Sequence, residues 1–413
     1  MIHYLKLLYI AVIGTYTLFG HWNVVLPVRA ALVMFLLLML FVCVHNAFIE
    51  FVVKRAGLIL VIISISAIGI FVTSLNGKGF DILLEYTLRN GVQPLAILMS
   101  SYLMAQFAGP MFVVRTFLFF AGLTGVFAIF QAVGFDFAWQ AREWLASFQD
   151  HEPALRSYIA ARVRPFGLSL TPIVFSYHIA AAYVVVQMIY ERGLIGSRVY
   201  FALTLGNLAI AAANGTRSLL LGILIAAVLR EVVKMRVKSL LTLAVVGLIC
   251  GAGLVILQNY DSRVVSFDDE SALGRFTLYQ FGLRLAADFP FGLGWSADVG
   301  EYASFYWEYV ATGVNAEAIF RLDVHNAYLN FFLTYGLLGT IVIVACFLID
   351  PPRFMHIIWI FFAYFIHGFF HNNGVFLGDY FVWVAFGLYL WLYQPAEAGA
   401  PARSRVPAVS PSR

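Results

Sequence analysis

Three His-Asn pairs stand in the 413-residue chain: His45-Asn46, His325-Asn326 and His371-Asn372. Imidazole titrates near neutrality, so each pair is a candidate acid–base group. His325 is set apart by its surroundings, "VHNAYLNFFLTYGLLG", in which Gly336 and Gly339 lie a helical turn apart. On a continuous helix the eleven residues from His325 to Gly336 sweep about 1100°, returning both to within about 20° of one face. Glycines there would let a second backbone pack closely beneath and give the histidine the rigid mounting that catalysis needs. A position at a helix N-terminus would also hold the imidazole neutral and able to take up a proton. Asp323 pulls the other way. His45 reads as a polar residue at a helix end. His371, in "HGFFHNNG", reads first as part of a turn, because Asn372, Asn373 and Gly374 are turn formers.

The elements that must position these groups are membrane helices. The chain is 62% hydrophobic and only 12% charged, about half the charge of a soluble domain. Continuous apolar runs long enough to cross a bilayer recur throughout, and they lack the alternation of a β-barrel. The expected fold is an all-α polytopic integral membrane protein of about 12 transmembrane helices, with a helical loop on the outer face before the tenth. The spans fall near 5–21, 27–46, 56–75, 91–108, 111–134, 168–190, 199–213, 217–232, 239–258, 326–349, 354–371 and 375–393. Residues 1–394 form the transmembrane domain, with outer segments at about 135–167 and 259–325. The Pro-, Ala-, Ser- and Arg-rich tail 395–413 reads as disordered. Lys54-Arg55 and the basic cluster 230–238 are best placed inside, which puts both termini in the cytoplasm. Lys6 precedes an apolar stretch with no small-residue cleavage site, so the first helix reads as retained. Cys43, Cys250 and Cys346 lie singly in apolar runs and suggest neither disulfides nor a metal site.

On the outer face the basic residues are arginines, with Lys78 as the exception. Guanidinium grips phosphate in a planar, two-pronged way and stays charged, so this face suggests an anionic, phosphate-bearing ligand. Arg29, Arg89, Arg142 and Arg156 are better read as snorkelling to lipid headgroups. In "NGTRSLLLG" Asn214 or Thr216 can cap a helix whose first turn carries Arg217, so that helix dipole and guanidinium converge at one place. In "FDFAWQAREWLASF" the residues Phe137, Ala141, Trp144, Leu145 and Phe148 make the stripe of an interfacial amphipathic helix. That outer segment ends in "ARVRPFG", bringing Arg162 and Arg164 to the next span. Ser271 can cap a helix reaching about Asp288, ended by Pro290. Arg275 and Arg284, nine residues apart on it, point to opposite sides, and spacing alone does not choose between them.

Taken together these motifs resemble the bacterial O-antigen ligase and O-antigen polymerase superfamily. His325-Asn326 with Gly336 and Gly339 matches the ligases' His-Asn-x9-Gly-x-x-Gly signature. "NGTRSLLLGILIAAVL" is similar to their Ser/Thr-Arg helix start, "GRFTLYQFGLRLAADFPFGLGW" to their Arg-bearing helix and glycine turn, and "RPFGLSLTPIVFSYHIA" to their Arg-x-x-Gly segment. Here Leu-Thr-Pro replaces the Asn-Pro-Asn often found in ligases. The resemblance spans roughly 160–345. It implies an inner-membrane glycosyltransferase whose donor is a glycan on undecaprenyl diphosphate, with no metal and no cofactor. That fits the absence of Asp-x-Asp on the outer face, of a Gly-rich phosphate loop and of metal-ligand spacing in the sequence.

The implied reaction has His325 as general base on an acceptor hydroxyl, which attacks and inverts the anomeric carbon. Arg217 and Arg275 hold the diphosphate, with Arg164 third and Arg321 fourth; the motif position favours Arg275 over Arg284. Asn326, Gly336 and Gly339 support the histidine. Expected partners are the lipid-linked glycan, an acceptor glycan or lipid A-core, and membrane lipids, with no nucleic acid. Ligase and polymerase remain level, a protein O-oligosaccharyltransferase ranks third, and a polysaccharide transporter or flippase is the non-enzymatic alternative.

Overall fold

The computed structural model describes residues 1–19, 28–148, 153–162, 164–233 and 270–394. The expected span 239–258, Arg263 and the tail 395–413 lie outside the described residues. In chain order the helices are α1 Ile2–Leu18, α2 Val28–Lys54, α3 Ala56–Leu75, α4 Phe80–Thr87, α5 Gln93–Ala108 and α6 Pro110–Ala132. Next come α7 Asp136–Ala146, α8 Pro153–Ala161, α9 Pro172–Glu191, α10 Ser197–Ala213, α11 Arg217–Val233 and α12 Glu270–Asp288. The last are α13 Ala303–Val310, α14 Ala327–Ile349, α15 Pro351–Ile360, α16 Phe362–Gly368 and α17 Phe381–Leu392. There is no strand among the described residues. In hydrocarbon each backbone polar group needs an internal partner, and a helix supplies it within one segment.

Among the described residues, five helices (α2, α3, α6, α9 and α14) are long and apolar enough to cross a membrane. Shorter apolar helices include α1, α10 and α17. The chain is an all-α membrane protein. Helices α5, α9 and α17 run through the interior, where most of their side chains are buried. Tyrosine hydroxyls satisfy polar groups there: Tyr16 donates to Gln93 Oε1 at 2.6 Å, and Tyr9 shares a hydrogen bond with Ser101. Around this core α2, α3 and α14 turn Leu38, Leu60 and Ile341 outward, the surface a bilayer would cover.

Several sequence expectations change. His45 is not at a helix end: α2 bends at Val44 and continues to Lys54. Two of the arginines expected to snorkel are buried among aromatic rings, and a third packs on one. Arg29 lies 5.3 Å from both Tyr16 and Tyr380, Arg142 lies 5.9 Å from Phe166, and the part-buried Arg89 lies 5.5 Å from Tyr86. The ring faces stabilise these cations where water is excluded. Arg156 is exposed. Of the amphipathic stripe on α7, Leu145 is buried, whereas Phe137 and Trp144 stay exposed. The segment after residue 270 builds its own small core, in which Phe281, Leu285, Val299, Tyr306 and Ile319 meet Leu333 of α14.

Helix α14 is broken at Gly336, which takes φ 62° and ψ −160°. The turn "PFGLGW" fills the break. Leu293 N–H donates to Leu333 O at 2.6 Å, Gly294 N–H to Thr334 O at 3.2 Å, and Leu337 N–H to Pro290 O at 2.8 Å. A Cβ on Gly336 would lie 2.2 Å from the Phe291 carbonyl carbon. The shared helical face of His325 and Gly336 therefore does not exist. His325 precedes the helix, and Gly336 interrupts it so that a second backbone can enter. Gly336→Ala should cost at least about 1–3 kcal/mol for its backbone conformation alone. Thermal unfolding in detergent would show the loss as a lower midpoint than wild type.

Candidate functional site

Asn326 is the N-cap of α14. Its Oδ1 accepts from the N–H groups of Tyr328 and Leu329, both at 3.0 Å, and satisfies two of the helix's free donors. This anchors His325 one residue earlier. The ring's Nδ1 lies 2.8 Å from the Asp323 carbonyl oxygen. A carbonyl only accepts, so Nδ1 carries the proton and a neutral ring keeps its lone pair on Nε2. Burial holds the His325 imidazole below its ordinary range, and the Arg275 and Arg164 cations add to this. The hydrogen bond to Asp323 O and the Asp323 carboxylate oppose it. That carboxylate instead accepts from Asn372 Nδ2 at 3.2 Å.

Arg164 and Arg275 are thus the guanidinium groups whose charge acts on His325. Arg164 comes from the bend before α9, and its Nη2 donates to Thr216 Oγ1 at 2.9 Å. The Thr216 hydroxyl donates in turn to Asn214 Oδ1, and Asn214 Nδ2 donates to Pro165 O at 2.6 Å. The "RPFG" and "NGTR" motifs are laced together by these bonds. Arg217 opens α11 between Thr216 and Ser218. Arg275 is on α12, near Tyr279, whose hydroxyl donates to Phe369 O at 2.6 Å. Arg284 is exposed and lies over the Tyr309 ring at 4.1 Å. Arg321 is exposed beyond the short turn Ala316–Phe320, and neither it nor Arg217 is among the charges acting on His325. Gly339 is buried beneath the Phe331 ring.

The Arg164 bend hangs on a residue that no motif marked. Gln131 Oε1 accepts from the N–H groups of Phe166 and Gly167 at 2.9 and 2.7 Å. Its Nε2 donates to Gly167 O at 3.0 Å and Ala138 O at 3.1 Å. Gln131→Leu strands these buried backbone groups, each worth about 1–3 kcal/mol when unsatisfied. A lowered unfolding midpoint in detergent would check the loss.

His371 is more than a turn residue. It is 2% exposed and sits in the field of Arg275, Arg164 and His325. The Ser176 hydroxyl donates to Ile173 O at 2.7 Å, so it accepts from His367 Nε2 at 2.9 Å. With the imidazoles neutral, Ser218 Oγ then donates to His367 Nδ1 at 3.0 Å and accepts from His371 Nε2 at 3.2 Å. This order leaves a lone pair on His371 Nδ1, which has no hydrogen-bond partner among the described residues. Its signal in the sequence was the repeated His-Asn pair, outweighed by the asparagines and glycine beside it. Among the described residues no three His, Cys, Asp or Glu side chains converge on a metal position.

Fold and site together define an integral membrane protein with a histidine–arginine centre at one end of its helix bundle. Residues 199–344 match the family model described as O-antigen ligase, which supports membership of the O-antigen ligase/polymerase superfamily and a glycan transferase of that general kind. The match takes in Arg217, Arg275, His325 and both signature glycines, but not Arg164 or His371. No curated protein matches the chain.

Proposed function

We propose that the chain moves a glycan from undecaprenyl diphosphate to a sugar hydroxyl of an acceptor, at the periplasmic face of the bacterial inner membrane. Both termini face the cytoplasm. The observation that carries this reading is the tie of His325 Nδ1 to the Asp323 carbonyl, which leaves Nε2 as a base in the field of two arginines. Nε2 takes the proton from the acceptor hydroxyl while its oxygen bonds to the anomeric carbon from the face opposite the leaving group. The bond from that carbon to the diphosphate oxygen breaks, configuration inverts, and undecaprenyl diphosphate departs with the electron pair. Negative charge grows on the diphosphate, where Arg275, Arg164 and the Arg217 end of α11 would lower the barrier electrostatically. Guanidinium groups and a neutral imidazole suffice for this, and no metal enters the step.

The test is transfer of radiolabelled glycan by the purified chain in detergent, where no gradient exists. Transfer to a second lipid-linked glycan marks a polymerase, transfer to lipid A-core a ligase, and transfer to a Ser- or Thr-bearing protein an O-oligosaccharyltransferase. Absence of transfer to all three, with glycan movement restored across sealed vesicles, would overturn the enzyme in favour of a transporter.

A further inference from the structure

A cavity of about 160 Å³ opens beside Asp323. Its lining includes Tyr86, Arg89 and Asn90 from the α4–α5 junction, Asn330 from α14, and Asp323 and Asn372 from the loops that carry His325 and His371. Asn90 is 5% exposed, and its Oδ1 has no hydrogen-bond partner among the described residues. A buried amide oxygen left without a donor is uncommon and needs a reason. It stands on the π-helical turn Leu88–Val92, a distortion found mostly at functional sites.

The lining selects a ligand class. Arg89 and Asp323 contribute opposite charges, so the cavity favours no net charge, and the Asp323 carboxylate with the bare Asn90 carbonyl disfavours a phosphate. Amide and carboxylate groups disfavour an alkyl chain. Tyr86 stacks near Trp295 at 6.2 Å and 17°, giving a flat apolar wall among hydrogen-bonding groups. A sugar ring presents both kinds of surface, hydroxyl edges and an apolar C–H face. Asp323 joins the cavity to the base, because its carbonyl holds His325 Nδ1 and the residue is part of the lining.

We propose that this cavity seats the terminal neutral sugar ring of the acceptor, with Asn90 Oδ1 taking a hydrogen bond from one of its hydroxyls. The inference rests on the transferase reading above. It separates two sites around one histidine, with the donor diphosphate at Arg164 and Arg275 and the acceptor sugar between Asn90 and Asp323.

The test uses the full 413-residue chain in detergent, undecaprenyl-diphosphate-linked glycan as donor, and the same lipid-linked glycan or purified lipid A-core as acceptor. Asn90→Leu should raise the acceptor KM by about tenfold, the effect of losing one buried hydrogen bond, and leave the donor KM unchanged. His325→Ala, run alongside, should lower transfer by about 10²–10⁴-fold. An unchanged acceptor KM in Asn90→Leu beside an impaired His325→Ala overturns the acceptor cavity and spares the base. An active His325→Ala overturns the transferase reading itself. If Asn90→Leu unfolds below the wild-type midpoint, Asn90→Ala, which empties the space instead of filling it, is read by the same split between the two KM values.

Discussion

Replacing His325 by alanine in the purified chain should lower glycan transfer by about 10²–10⁴-fold, the usual contribution of a positioned general base. The ring is held at both ends of its mounting: Asn326 caps α14 behind it, and the Asp323 carbonyl takes Nδ1. His325→Gln should be nearly as inactive, because an amide keeps hydrogen-bonding capacity but accepts no proton at neutral pH. The pH profile is a second readout. Burial, then Arg275 and Arg164, hold the folded imidazole below its ordinary value, which is about 6.5. The acid limb of kcat/KM should therefore lie below about pH 6.5, because the base is still mostly neutral at about pH 6.5 and protonates only at lower pH. Arg275→Ala removes one of those cations, so it should move the limb upward. The same shift has a stability consequence. The unfolded chain takes the proton more readily, so stability falls as pH drops through the unfolded pKa of about 6.5. Wild-type turnover by His325→Ala would remove His325 from the chemistry.

The second large effect separates two arginines of one helix. Arg275→Ala should lower kcat by about 10²–10³-fold, the scale seen when one donor to developing negative charge is lost. Arg275→Lys should recover only part of this, because an ammonium keeps the charge but not the planar fork. Arg284→Ala should stay near wild type, since that guanidinium is exposed over Tyr309 on the other side of α12. Arg217→Lys is the matching probe at the start of α11. Transfer rates at saturating donor decide the matter, and a defect in Arg284→Ala with a normal Arg275→Ala would reverse the assignment.

Much of this protein is written locally. Apolar run length and charge scarcity determined the all-α membrane class, because a bilayer constrains each segment by itself. Thr171, which accepts from Val174 N–H at 3.2 Å, and Asn326 act as caps within a few residues of the helices they start. The His-Asn signature and the arginine motifs were legible for the same reason, and the family match extends over most of that stretch. Helical spacing failed where backbone from elsewhere intervened. A sweep of about 1100° brings His325 and Gly336 to one face only on a continuous helix, whereas the Pro290–Trp295 turn enters α14 at Gly336 and takes over its hydrogen bonds.

Spacing put Arg275 and Arg284 on opposite sides of α12 but could not say which side meets His325. Only the packing of α12 against α14 and Tyr309 does that. His371 looked like a turn because its partners, Ser218 and through it His367 and Ser176, lie on three other helices. Gln131 and Asn90 carried no motif at all. A side chain's hydrogen-bond role depends on which distant backbone or cavity it meets, and that is decided when the helices assemble.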